Sequence, residues 1–183
     1  MSGRGQPVDV TGGVTVSVRD ARATPTDRLW IQSVYRDYLD DLNPGTGVFP
    51  RLPEIGHREP DQIAHWFADP NTYPLVIVRG AEASGFARVL RAQSIAREPR
   101  IEYRMAEFFV ARGRRRLGLG ATAAQLILSR FAGKWEITEY TRNAGAVNFW
   151  RRVVAGYTRG VYQERIVNGE VRQVFDSAKA RLP

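Results

Sequence analysis

The local patterns of this sequence predict a single-domain α/β fold, a mixed central sheet of about seven strands with helices on both faces. Three observations carry that expectation. Strand-like and helix-like stretches run in the order strand, two helices, three strands, helix, strand, helix, two strands, without strict alternation. A length of 183 residues suits one domain. A composition of 43% hydrophobic and 25% charged residues is that of a chain with an ordinary buried core.

Each element has a local cause. Residues 1–13 are Gly-rich and read as a flexible arm, so the domain is expected over residues 14–183. Val14-Thr-Val-Ser-Val-Arg19 alternates with period two, as a strand does. Thr24-Pro25-Thr26-Asp27 opens a helix. Thr24 fits the N-cap, Pro25 the first turn, and Asp27 sets negative charge near the positive helix end. Ile31, Val34, Tyr35, Tyr38 and Leu42 give this helix its apolar face. Asn43-Pro44-Gly45 is expected to stop it.

Residues 43–60 hold four prolines and three glycines, which predicts a long loop. A short helix is expected over 61–68, then strands over 73–79 and 82–90 joined at Gly80. A polar connector leads to a strand over 101–110. A turn rich in Gly and Arg, 111–120, runs into a helix over 121–131, with Gly133 as its cap. A strand over 135–140 precedes a helix over 143–154 with Asn143 as N-cap. Strands over 157–164 and 171–175 close the chain through an Asn168-Gly169 hairpin turn.

Composition removes several function classes. There is no cysteine, so disulfides, Cys-ligated zinc, iron–sulfur clusters and a cysteine nucleophile are excluded. His57 and His65 are the only histidines, and no metal is expected. No apolar run approaches the roughly 20 residues of a bilayer span, so no membrane partner is expected. The first residues lack an apolar signal core, and the expected address is the cytoplasm. Net charge is +8, from 25 Arg and 2 Lys against 19 acidic residues. Such a balance suits nucleic acid, anionic surfaces or small polyanions, and the guanidinium fork suits phosphate.

The stretch Phe108-Phe-Val-Ala-Arg-Gly-Arg-Arg-Arg-Leu-Gly-Leu-Gly-Ala-Thr122 is the most informative. It reads as strand, turn, helix. Gly118 and Gly120 remove side chains where a ligand could approach the backbone. Free N–H groups at a helix start favour an anion. Arg112, Arg114, Arg115 and Arg116 add charge. The turn is suited to a pyrophosphate, yet it is no P-loop, since no Lys-Ser/Thr follows the second glycine. It also lacks the third glycine of the dinucleotide fingerprint.

Val110, Arg115, Gly118 and Gly120 match the Arg/Gln-x-x-Gly-x-Gly/Ala motif of the GCN5-related N-acetyltransferases, with the usual five-residue step from Val to Arg. Asn143-Ala-Gly-Ala-Val-Asn-Phe-Trp150 resembles the second signature of that family, Asn-x-x-Ala-x-x-Phe-Tyr. The element order over 14–176 is similar as well. Phe131-Ala-Gly-Lys-Trp-Glu136 resembles a bacterial branch of the family, which implies no particular substrate.

The resemblance implies acetyl-CoA as cosubstrate. The backbone of Phe108, Phe109 and Val110 would bond the pantetheine arm. The pyrophosphate would rest on N–H groups from Arg115 through Arg116, Leu117, Gly118, Leu119 and Gly120 to Ala121. Arg115 or Arg116 could also reach the 3′-phosphate. Asn143 would touch the pantetheine or thioester side, and Phe149 would pack along the cofactor.

The chemistry implied is proton handling. An ammonium acceptor must lose a proton before attack, and a carboxylate can take it. The family usually protonates the leaving thiolate with a Tyr of the second signature. Here that position is Trp150, whose indole N–H has no usable acidity. Trp150 reads as a core aromatic. Tyr140 and Tyr157 flank the helix and could substitute, Tyr157 being the candidate acid. A thiolate could also leave unaided.

Glu107, inside the apolar Met105-Ala-Glu-Phe-Phe-Val110, is the candidate base, because apolar neighbours raise a carboxyl pKa. Glu102, Glu136 and Glu139 are weaker candidates. Asp37, Asp40 and Asp41 could line an amine-binding pocket, but are expected on the solvated face of the first helix. His65 is expected to pack, and neither histidine is assigned a role.

The reading is therefore acetyl-CoA-dependent transfer to a primary amine of a small molecule or protein, in a ternary complex. The alternative is a non-catalytic acyl-CoA-binding module on the same fold. Nucleic acid is disfavoured, since phosphate recognition already accounts for the Arg112–Arg116 cluster. A homodimer would be the commonest assembly.

Overall fold

The structure is a computed structural model that describes residues 8–10, 14–46, 55–92, 100–116 and 118–180. Its elements are β1 (Val8–Val10), β2 (Val14–Asp20), α1 (Pro25–Thr46), α2 (Ile55–Ala68), β3 (Thr72–Arg79), β4 (Glu82–Arg91), β5 (Tyr103–Val110), α3 (Leu119–Arg130), β6 (Lys134–Tyr140), α4 (Ala144–Thr158), β7 (Gln163–Val167), β8 (Glu170–Asp176) and α5 (Ser177–Ala180). The strands form one mixed sheet in the order β1-β2-β3-β4-β5-β6-β8-β7, antiparallel except where β5 meets β6. These are the seven strands expected, plus the three-residue β1, which pairs with β2 inside the segment read as an arm. The rest of that arm lies outside the described residues.

The sheet is buried on both faces, which explains why β3 reads as a nearly continuous apolar run. Leu75 and Ile77 face a core with Ala123, Ile127 and Leu128 of α3 and Trp150, Val153 and Val154 of α4. Val76 and Val78 face the opposite core, with Ile31, Tyr35 and Tyr38 of α1 and Ile63 and Trp66 of α2.

The helices depart from the sequence expectation where prolines were read as breakers. α1 continues through Pro44 to Thr46, so the Asn43-Pro44-Gly45 signal falls within its last turn. α2 begins at Ile55, six residues before the expected start, and passes through Pro60. A proline there removes one backbone donor, and packing of Ile63 and Trp66 overrides that local cost. Of the residues read as a long loop, 47–54 lie outside the described residues. α3 is capped at Phe131, whose N–H bonds the Ile127 carbonyl, rather than at Gly133. The strand expected from residue 157 starts at Gln163, because α4 runs on to Thr158. Among the described residues no helix is long and apolar enough to cross a membrane.

Candidate active site

Two irregularities in β5 build the site. The first is a bulge. Arg88 pairs with Glu107 and Val89 with Met105, so Ala106 is an extra residue on β5. Side chains alternate along a strand, and one extra residue reverses the parity. Met105 and Phe108 therefore both face the core of α3 and α4, while Phe109 faces α1 and α2. Glu107 turns to that second side, where the Tyr38 hydroxyl donates to its carboxylate and Arg88 pairs with it at 2.9 Å.

The second irregularity is a splay. β5 and β6 pair at Tyr103↔Trp135 and Arg104↔Glu136 only. Beyond these residues β5 has no ladder partner on its β6 side. A cleft of about 900 Å³ opens there. Its walls include Phe108, Phe109 and Val110 of β5, Glu139 and Tyr140 of β6, Phe149 and Trp150 of α4, and Tyr38 and Asp41 of α1.

One end of the cleft is the Gly–Arg turn. After β5 comes a short 3-10 turn, Arg112–Arg114, and then α3. Gly118 precedes α3 at φ +74, a left-handed conformation that glycine adopts without a Cβ penalty. No side chain caps α3, so its first N–H groups remain available to an anion. A Cβ on Gly120 would lie 3.3 Å from Phe149 Cε2 and 3.6 Å from Val110 Cγ2. The backbone floor is thus accessible because that side chain is missing. Unladdered strand edge, bare helix start and basic rim together fit the arm and phosphates of a CoA thioester.

The arginines divide by role. Arg115 donates from Nε to the Val110 carbonyl at 2.7 Å and pairs with Asp41. It braces the turn. Arg112 also pairs with Asp41, at 2.7 Å, and Arg114 with Glu82. Arg116, in a left-handed conformation at φ 64, lines the cleft, as does Arg152 of α4. Neither makes an ion pair among the described residues.

The other end is acidic. Glu107 is raised above the usual carboxylate range by burial, with Arg88 and Tyr38 pulling the other way. Tyr38 is raised well above the ordinary phenol range by burial and then by Glu107. Burial, opposed by a hydrogen bond from Trp150 and assisted by Glu107, pushes Glu139 up to about 7.

Most expected cofactor contacts converge on this cleft: Phe108, Phe109, Val110, Arg115, Arg116, Gly118, Gly120, Ala121, Asn143 and Phe149 all line it. Leu117 lies outside the described residues. The Leu119 side chain is buried at 1% exposure in the core, so only its backbone could serve. Asn143 caps α4, its Oδ1 accepting from Ala146 N at 3.1 Å.

Of the two candidate catalytic residues, Glu107 lies in the cleft and Tyr157 does not line it. Tyr157 exchanges a hydrogen bond with Ser129 of α3 at 3.1 Å, while Tyr140 does line the cleft. Glu136 is paired with Arg104, and Glu102 accepts from Lys134 N. Glu139 is the member of that weaker set that reaches the site. Trp150 is buried, as expected of a core aromatic. Asp37 and Asp40 are solvated, but Asp41 pairs with the turn. His65 is exposed rather than packed, and the His57 side chain lies outside the described residues. Sequence reasoning passed over Tyr38 as a site residue. Its helical spacing with Ile31 and Tyr35 marks it only as core.

Comparison with known proteins adds relatives. The model of the Acetyltransferase (GNAT) family matches residues 19–156. A search of curated proteins finds no match. Among solved structures, the GNAT domain of S. lividans PAT superposes with a TM-score of 0.64 at 18% identity, covering 93% of this chain and 96% of that one. Spermidine N-acetyltransferase from Vibrio cholerae, in complex with CoA and spermine, gives 0.63 at 12% identity over 90% of this chain and 97% of that one. The PaiA N-acetyltransferase from Thermoplasma acidophilum, in complex with coenzyme A, gives 0.60 at 9% identity over 88% and 98%. At such identities these likenesses speak for the fold.

Proposed function

The chain belongs to the Acetyltransferase (GNAT) family, and from that premise we propose that it transfers acetyl from acetyl-CoA directly to a primary amine in a ternary complex. The observation that carries the reading is the continuity of one cleft. It joins an uncapped helix start, an unladdered strand edge and a half-buried carboxylate end. A diphosphate needs the first, a pantetheine amide the second, and an ammonium the third. Arg116 and Arg152 line its walls without an ion pair among the described residues, and we assign them to the CoA phosphates. A relative that binds CoA and spermine is consistent with both ligand classes.

Acetyl transfer joins nitrogen to the thioester carbonyl carbon and expels the thiolate. This chain would align the thioester along β5, offer backbone N–H groups to the developing oxyanion, and accept the ammonium proton on a carboxylate. A second reading, a non-catalytic acyl-CoA-binding module, is favoured by Trp150, which cannot protonate a leaving group.

The experiment is calorimetric binding of acetyl-CoA and dephospho-CoA, followed by thiol release in the presence of primary amines. Binding that is weaker for dephospho-CoA, with amine-dependent thiol release, supports the transferase. Binding without thiol release supports the module. Absence of binding removes both readings.

A further inference from the structure

Four carboxylates line the cleft: Asp41, Glu107, Glu139 and Glu170. Arginine neutralises three of them. Asp41 holds Arg112 and Arg115, Glu107 holds Arg88, and Glu170 holds Arg172. Glu139 has no ion-pair partner among the described residues. Trp150 lines the same cleft and favours the charged form of Glu139; its indole offers one N–H and no acceptor.

Packing fixes the Trp150 ring in place. It is 2% exposed, and it packs edge-on to Phe108 and Phe149 with ring centroids 5.1 Å away in each case. The other groups that face Glu139 come from several elements. Glu107 of β5 acts on it electrostatically, and it acts in turn on Tyr38 of α1. Arg152 of α4 and the paired Glu170 of β8 share its cleft, as does Tyr140 on its own strand.

We propose that Glu139, oriented by the indole N–H of Trp150, receives the ammonium of the acceptor and takes its proton. Glu107 is then a positioning residue that ties α1, β4 and β5 together through Tyr38 and Arg88. The inference deepens the transferase reading and rests on it. An ammonium entering the cleft meets one carboxylate whose charge no guanidinium has cancelled. A half-buried carboxylate that feels a second one is also the group that gains most from a cation. Such a group is poised near neutrality, where a base works best.

The ammonium gives one proton to the Glu139 carboxylate, and the neutral amine attacks the thioester carbonyl carbon. The C–S bond breaks with its electron pair on sulfur, and the thiolate takes the second nitrogen-bound proton. Glu139 then releases its proton to water through the open cleft. No separate protein acid is needed, which accommodates Trp150 at a position where relatives of this family carry Tyr.

Two readouts test the assignment. The first follows the glutamate carboxyls of the full chain by carbon NMR during a pH titration. We expect a midpoint near 7 that disappears in Glu139→Gln and moves higher in Trp150→Phe, where a bond to the charged form is lost. A Glu139 midpoint below about 5, the ordinary range of a solvated glutamate, overturns the proposal whatever the activity. The second is thiol release from acetyl-CoA with n-butylamine and spermidine as probes. Glu139→Gln should lower kcat about 100-fold and lose the acidic limb of the pH profile, with the KM for acetyl-CoA unchanged. A variant that keeps the wild-type rate and limb also overturns it. If the wild-type protein binds acetyl-CoA but releases no thiol with either amine, the transferase reading falls and takes the proton transfer with it. The carboxyl titration keeps the two failures distinguishable.

Discussion

Gly118 and Gly120 stand two residues apart in the motif and are constrained for different reasons. Gly118 has open space around its missing Cβ but sits at φ +74. Alanine there strains the backbone by about 1 kcal/mol and blocks nothing. A Cβ added at Gly120 would lie 3.3 Å from the Phe149 ring. A leucine there must push into the space that the pantetheine and diphosphate would use. Gly118→Ala is therefore expected to lower thermal stability with acetyl-CoA affinity changed only a few-fold. Gly120→Leu should cost at least about tenfold in affinity, the equivalent of about 1.4 kcal/mol, with little change in melting. Calorimetry and thermal unfolding of both variants separate the two effects. Equal loss of affinity would mean that the N–H geometry at Gly118 matters as much as the room at Gly120. Asn143 supplies a further contrast, since its side chain caps α4. Asn143→Ala should cost about 1 kcal/mol of stability, measurable by denaturant unfolding, whether or not the amide also touches a ligand.

α1 is tied to the Gly–Arg turn through Asp41, which accepts from both Arg112 and Arg115. Removing that carboxylate has two opposed consequences. The turn loses a brace, and two guanidiniums are released beside a site for a polyanion. Arg115 keeps its 2.7 Å bond to the Val110 carbonyl, so the brace is only half lost, and exposed ion pairs contribute under about 1 kcal/mol. The released charge should win. Asp41→Asn is expected to tighten acetyl-CoA binding about threefold at low ionic strength, and the gain should vanish at high salt. Calorimetry at two salt concentrations checks it, and a salt-independent weakening would show that Asp41 acts by bracing alone. This link illustrates what a linear reading can and cannot reach. The Gly–Arg turn and the Asn cap are local patterns, so their positions are readable from spacing. The strands are readable because their alternation or apolar runs are local as well. The bulge at Ala106 leaves no trace in Met105-Ala-Glu-Phe-Phe-Val110, because it is defined by the register with β4. Which face Glu107 takes, and hence its pairing with Tyr38 and Arg88, depends on that bulge. Glu139 is one acidic residue among several in the sequence, and only the splay of β5 from β6 and the packing of α4 set it beside Trp150.

The ionisable groups of the whole fold oppose one another across pH. Asp27 is buried, and Arg19 holds it through two bonds at 2.6 and 2.7 Å. The Arg19 hydrogen bond keeps its pKa below the usual carboxylate value. Glu164 is lowered in the same way by Arg151. Their contribution is present above the unfolded-state pKa and is lost as pH falls through the lower folded value. Glu107 and Glu139 act in reverse, because burial raises both. The fold favours their protonated forms, so stability is lost as pH rises from the unfolded-state value toward about 7, where Glu139 titrates in the fold. Thermal stability should therefore be greatest on the mildly acidic side of neutrality and lower at alkaline pH. The charge on Glu139 that would accept a proton from an amine is the same charge that the fold resists. Replacing it with an uncharged isostere separates the two. In Glu139→Gln the side-chain amide carbonyl can still accept from Trp150, and the repulsion from Glu107 is gone. Glu139→Gln is expected to raise stability by about 2 kcal/mol well above neutrality and by almost nothing at mildly acid pH. For a chain of this size that corresponds to a rise in Tm of about 5 °C. Thermal unfolding of wild type and variant across the pH range measures the difference directly. A gain that is the same at every pH would mean that packing, not ionisation, separates the two proteins. A gain confined to the alkaline side, together with loss of thiol release, would locate the functional charge and the cost to stability in one carboxyl group.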